Sequence, residues 1–199
     1  MQRNWFPLIL FCLLKIKWLF DTEGVNEIFI LSVDGVHCKI LEPRTDPGTK
    51  WYSHKSNGAG LSYELGIALH HNQLCWINGP FPAGKNDMAI FKSDGGLMHK
   101  MPRGKRAITD EGYCGEPWML STRNPLDLES LKVFKRRAKG RHESFNSRLK
   151  VFNILKHEFR GKDSADEDKL SKHQRAFESC CILIQYEMEH GRPLFEVWK

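Results

Sequence analysis

The stretch EIFILSVDGVHCKIL, Glu27 to Leu41, decides how the rest of the chain is read. Ile28 to Val33 form a nearly continuous apolar run, too short for a typical helix and suited to a strand buried on both faces. Asp34-Gly35 then interrupts it and a second apolar run follows. Read this way, Asp34 ends a buried strand, and the edge of an open sheet is where α/β folds bind their ligands. A turn residue is the plainer explanation for an Asp-Gly pair.

Working outward, EPRTDPGTK, residues 42–50, is a loop by its prolines and glycine. LSYELGIALHH, 61–71, and QLCWINGPF, 73–81, are two further strands joined near His71-Asn72. After the Gly/Pro loop GPFPAGKND, a short helix is expected near Asp87, capped by Asn86. KRAITDEGY, 105–113, reads as another strand ending in an acid, Asp110. NPLDLESLKVFKRRAK, 124–139, is helical after a cap-like Asn124-Pro125, and a second helix follows in GRHESFNSRLKVF, 140–152. GKDSADEDKLSK, 161–172, reads as a polar loop, and the closing helix, 173–191, stops at Gly191 and Pro193. Consecutive early strands followed by crossover elements and helices describe a mixed α/β domain with an antiparallel beginning.

On a helix turning about 100° per residue, Phe145, Leu149 and Phe152 share one side, while Glu143, Asn146, Ser147 and Lys150 share the other. The carboxylate of Glu143 therefore points away from the core and into the most basic part of the chain. Lys132 to Arg160 holds ten Lys/Arg against two acids, Glu143 and Glu158, a net +8 in a chain whose total is +6. Clustered cations of this kind suit a nucleic-acid backbone; a solvated helix face, and for Glu143 a surface salt bridge, are the competing explanations.

The 199 residues, 41% hydrophobic and 27% charged, suit one globular domain of ordinary core, with or without an appendage. The six cysteines show neither CxxC pairs nor zinc spacing, which favours reduced thiols. Trp5 to Phe20 resembles a signal peptide, yet Lys15 and Lys17 interrupt it and no small-residue cleavage site follows. We divide the chain into residues 1–27, a hydrophobic segment or truncated upstream region, and 28–199, the main domain. A membrane-anchored or secreted protein is the rival class that segment suggests.

Asp34, Asp87, Asp110 and Glu143 together suggest one chemistry. Converging carboxylates hold Mg²⁺ or Mn²⁺ through hard oxygen ligands, and such ions activate water and stabilise phosphodiester displacement. HESFN lacks the second histidine of a zinc-protease motif. Trp51-Tyr52 is a candidate stacking pair for an unpaired base.

Four blocks in order, SVDGVHC, GPFPAGKNDMAIF, ITDEGY and RHESFNSRLKVF, resemble those of DDE-superfamily transposases, most closely the PIF/Harbinger type, over roughly Ile28 to Val197. The resemblance implies a ribonuclease-H-like mixed sheet flanked by helices, and DNA cleavage and strand transfer at a two-metal Mg²⁺ or Mn²⁺ site. It places the catalytic residues on Asp34, Asp87 and Glu143, and the metal ligands on those three with Asp110. His37 and Lys150 match family positions without an assigned role. DNA is the implied partner, with a separate DNA-binding subunit where end recognition is needed, possible oligomers, no stable membrane association, and a nuclear site of action in a eukaryote. A non-catalytic DNA-binding remnant of such an enzyme is the alternative function.

Overall fold

A computed structural model describes residues 28–43, 48–160 and 166–197. The hydrophobic segment Trp5 to Phe20, the middle of the 42–50 loop and the start of the 161–172 segment fall outside these residues.

The first apolar run is longer than expected. Strand β1 spans Phe29–Lys39 and passes straight through Asp34-Gly35. Both residues stay in register with the neighbouring strand, Asp34 opposite Leu65 and Gly35 opposite Glu64. Asp34 is therefore a mid-strand residue and neither a strand end nor a turn, because an antiparallel partner continues to pair the backbone beyond it. A short helix, α1 (Gly48–Trp51), leads to a two-residue strand, β2 (Tyr52–Ser53). The expected hairpin forms from β3 (Gly58–Ala68) and β4 (Leu74–Pro82).

Helix α2 (Asp87–Phe91) starts where expected, and Asn86 caps it by accepting from the Ala89 N–H at 2.6 Å. Strand β5 (Arg106–Ile108) precedes Asp110, whose side chain caps a 3₁₀ turn at Glu111–Tyr113. Strand β6 (Leu120–Ser121) follows. The two expected helices at 124–152 are one continuous helix, α3 (Glu129–Leu149), which runs through Gly140. Its start is later because Asn124 instead accepts from the Leu126 N–H in a local turn. A short α4 (Asn153–Lys156) precedes α5 (Asp166–Glu189), which takes in much of the segment read as a polar loop and ends before Gly191 in the left-handed region.

The sheet order is β2-β3-β1-β5-β6, with β4 also pairing β3. β1, β2, β3 and β4 pair antiparallel, whereas β1–β5 and β5–β6 are parallel. A mixed six-stranded sheet flanked by helices is the ribonuclease-H-like α/β arrangement. Even-numbered residues of β1 face α3: Ser32 meets His142, Asp34 meets Asn146, and Val36 and Cys38 share a core with Phe145 and Leu149. α5 adds Phe177, Cys181, Ile184 and Met188 to that core. The odd residues Leu31 and Val33 pack on the other face with Phe91, Leu97 and Tyr113.

Several cations of the basic segment hold the fold together. Arg141, 2% exposed, donates to the carbonyls of Phe195 and His71 and to Asn72 Oδ1. Arg137 donates to the carbonyls of Val197 and Glu196, Arg148 to those of Arg192 and Pro193, and Lys135 to Asp127 and the Thr122 carbonyl. Among the described residues none of the five cysteines forms a disulfide, and no helix is long and apolar enough to cross a membrane.

Candidate active site

The parallel pairing of β1 with β5 relates two acids. Ser32 pairs with Ile108, and two residues further along each chain stand Asp34 and Asp110. Paired residues of parallel strands point to one face, and Ser32 and Ile108 point to the face covered by α3, since Ile108 packs with Phe134 and Ala138 of that helix. β5 ends at Ile108, so β1 presents Asp34 at the point where its neighbour turns away.

Asp34 is oriented from two directions. Its Oδ1 accepts from the Gly35 N–H at 2.8 Å, and its Oδ2 accepts from the Asn146 amide of α3 at 3.1 Å. Asp110 Oδ1 accepts from the Gly112 N–H at 3.0 Å. Asp87 arrives from the other side of β1. A side chain on Gly35 would come within 2.8 Å of Asp87 Oδ1, and one on Gly112 within 2.7 Å of Asp87 Oδ2 and 3.2 Å of Asp110 Oδ1. The two glycines thus leave the space in which the Asp87 carboxylate lies, next to that of Asp110.

These acids feel one another. Burial pushes the Asp34 carboxyl above the usual carboxylate range, and the charge of Asp110 pushes the same way, against the Lys55 ammonium, the Gly35 N–H and Lys139. Burial likewise raises Asp87, with Asp110 and Asp34 adding to it and Lys55 opposing. Lys55 Nζ lies 4.0 Å from Asp34 Oδ1 and donates to the Gly35 carbonyl at 3.2 Å. It is the protein's own countercharge in the middle of the cluster.

Glu143 is exposed on α3, one turn before Asn146. It lines a groove of about 760 Å³ together with Thr109, Arg136 and Lys139. The apolar and polar sides of this helix fall as its sequence implies: Phe145 and Leu149 are buried, while Glu143, Ser147 and Lys150 are exposed. Among the described residues no three acidic, histidine or cysteine side chains are closed to metal-binding distance. The donor set is nevertheless of the right kind for a hard divalent cation: carboxylate oxygens grouped beside one another, with the Lys55 ammonium 4.0 Å from Asp34 as their countercharge.

Glu64 is a residue that sequence reasoning passed over. It is fully buried on β3 opposite Gly35, and Trp76 Nε1 donates to its Oε2 at 2.7 Å. The Tyr113 hydroxyl and the Asn78 amide approach the same carboxyl without closing hydrogen bonds of standard geometry. Burial raises Glu64 to about 7, and the charge of Asp87 adds to the shift. A lone acid in the apolar run SYELGIA was the signal. Lys55 and Asn146 carried no such signal. Trp51 is buried in the core and only Tyr52 of that pair is exposed. His37 donates to or accepts from Ser53 Oγ at 2.7 Å, and burial lowers its pKa to about 4.

A family model described as DDE superfamily endonuclease matches residues 33–185. No curated protein and no solved structure matches significantly.

Proposed function

The chain belongs to the DDE superfamily of endonucleases, and from that premise we propose that it is a divalent-metal-dependent DNA nuclease of the PIF/Harbinger-type transposase branch, able to hydrolyse phosphodiesters and transfer strands. One observation carries this reading: Asp34 on β1 and Asp110 just beyond the end of β5 each lie two residues past the paired Ser32 and Ile108, beside the helix that carries Glu143.

Asp34, Asp110 and Glu143 would hold Mg²⁺ or Mn²⁺ from the α3 face, with Asp87 closing the site from the glycine side. Ions bound there would supply water activation and charge neutralisation for an in-line displacement. The remaining work falls to the chain. Asn146 and the Gly35 N–H fix the rotamer of Asp34. Arg136 and Lys139, exposed beside Glu143, are placed to grip a phosphate backbone running along the groove. Lys55, whose side chain is 49% exposed, is free to swing from the carboxylates to a substrate phosphate. In a eukaryotic cell the site of action would be the nucleus.

That no three of these acids are closed to metal-binding distance favours a second reading, a DNA-binding remnant without catalysis. Nicking of supercoiled plasmid in Mn²⁺ separates the two. Wild type should nick while Asp34→Ala, Asp110→Ala and Glu143→Ala bind DNA without cutting it. Salt-sensitive binding with no nicking by wild type would leave only the remnant.

A further inference from the structure

A second concavity adjoins the carboxylates on the side away from α3. It encloses about 520 Å³ and is lined by Tyr52, His54, Lys55, Lys85 and Asp87, among others. That volume lies within the range of small-molecule sites. Strand order puts it toward the β2 edge of the sheet, whereas the α3 groove lies toward β5 and β6. Lys55 and Asp87 belong both to its wall and to the acidic cluster, so the two spaces meet at the candidate reaction centre.

Its chemistry is unlike that of the α3 groove. Tyr52 is 42% exposed on a two-residue edge strand and contributes nothing to the core. The His54 ring stands against it edge-on, with centroids 5.1 Å apart and planes at 84°. Lys85, also on the wall, holds its ammonium 4.3 Å from the Phe81 ring centroid. An exposed aromatic side chain on a wall that also carries two lysines suits single-stranded nucleic acid: every base offers a π-face and every nucleotide a phosphate. A paired duplex cannot present a base face to such a ring without unstacking.

We infer that this cleft is a subsite for one unpaired nucleotide of the DNA strand next to the reacting phosphate, its base stacked on Tyr52 and its phosphates held by Lys55 and Lys85. The inference rests on the DNA-cleaving reading above and extends it to substrate form: the preferred substrate has unpaired bases flanking the cleavage point. The strand would lie in the α3 groove as duplex, cross Asp34 and Asp110, and enter the cleft unpaired.

The test compares a blunt duplex with the same duplex carrying a short single-stranded extension, by fluorescence anisotropy with Ca²⁺ in the buffer. Wild type should bind the extended DNA about tenfold more tightly, the scale of one base–aromatic stack. Tyr52→Ala should lose that preference while retaining its affinity for blunt duplex, and Tyr52→Phe should keep it. Lys85→Ala should weaken the extended DNA more than the blunt. A 2-aminopurine placed in the extension should be quenched on binding wild type and Tyr52→Phe, and not on binding Tyr52→Ala. Equal binding of both DNAs by wild type, or a preference that survives Tyr52→Ala, overturns the subsite while leaving the DNA reading intact. If neither DNA is bound, the DNA reading falls and the subsite falls with it.

Discussion

Asp34 Oδ2 and the Asn146 amide are joined at 3.1 Å across 112 residues of chain. That bond ties α3 to the strand at the place where β5 leaves it, and it sets the height at which Glu143, one turn away, stands relative to Asp34. The helix is already held by Phe145 and Leu149, which are buried in the core. Asn146 thus adds alignment to an attachment the core provides.

Asn146→Ala should therefore leave the fold intact and lower the metal-dependent nicking rate on the order of tenfold, since misplacement of a catalytic group on the 1 Å scale has effects of this size or larger. Asn146→Asp should be worse, because a fourth carboxylate would face Asp34. Single-turnover nicking beside thermal melting checks this; an equal loss of stability and rate would make Asn146 a structural residue only.

Crowded carboxylates predict ion-dependent stability. Divalent cations that bind the folded site and not the unfolded chain stabilise by about 2.7 kcal/mol at a hundred times Kd, which is about 5–10 °C in a domain of this size. Adding Mn²⁺ at pH 8 should raise the melting temperature of wild type by that order and EDTA should reverse it. The rise should shrink sharply in Asp34→Asn and in Asp110→Asn. A melting curve indifferent to Mn²⁺ counts against a metal site at these residues.

Glu64 predicts a pH dependence of the metal-free protein. Its folded pKa of about 7 lies above the ordinary 4.5 because burial disfavours the charged form. The fold therefore favours the protonated acid. The associated stability is complete below the ordinary value and is lost as pH rises through about 7. Asp34 and Asp87 are shifted in the same direction. Glu64→Gln keeps the acceptor for Trp76 without the charge, so above pH 7 it should be more stable than wild type by up to about 3 kcal/mol. Below pH 5 the two should converge, and parallel urea-denaturation profiles across the range would refute the assignment.

Cations of the basic segment should divide into two classes. Arg141→Ala strips three acceptors of their buried donor and should destabilise by several kcal/mol. Arg136→Ala and Lys139→Ala should leave stability unchanged to within about 0.5 kcal/mol, weaken DNA binding, and each lower the salt slope of log K by about 0.9. Titrations at several salt concentrations, with denaturation in parallel, distinguish the classes.

Phe177 stacks on Tyr63 at a centroid distance of 3.8 Å and is fully buried. Phe177→Ala should cost about 3–5 kcal/mol and loosen α5 from the sheet. A lowered urea midpoint is the expected reading, and a change below about 1 kcal/mol would mean the core closes over the gap.

Much of this was legible from the chain read in order. The alternation and length of apolar runs mark β3, β4, β5 and the start of β1, Asn86 marks the cap of α2, and helical periodicity separates the buried Phe145 and Leu149 from the exposed Glu143. These are local properties, set within a few residues by backbone geometry and solvation. The order of the acids along four blocks likewise belongs to the sequence, and so does the family. Tertiary structure alone decided that β1 runs unbroken through Asp34, because only a paired β3 keeps an Asp-Gly dipeptide extended. It decided that Asp34 and Asp110 each lie two residues past the paired Ser32 and Ile108, because parallel register depends on a crossover some seventy residues long. It also decided which of ten clustered cations are spent on backbone carbonyls and which still face a groove, since a net charge does not record whether an acceptor lies within reach. The role of Lys55 stayed hidden for the same reason: a cation acquires meaning from a neighbour such as Asp34 that is distant in sequence and 4.0 Å away in the fold.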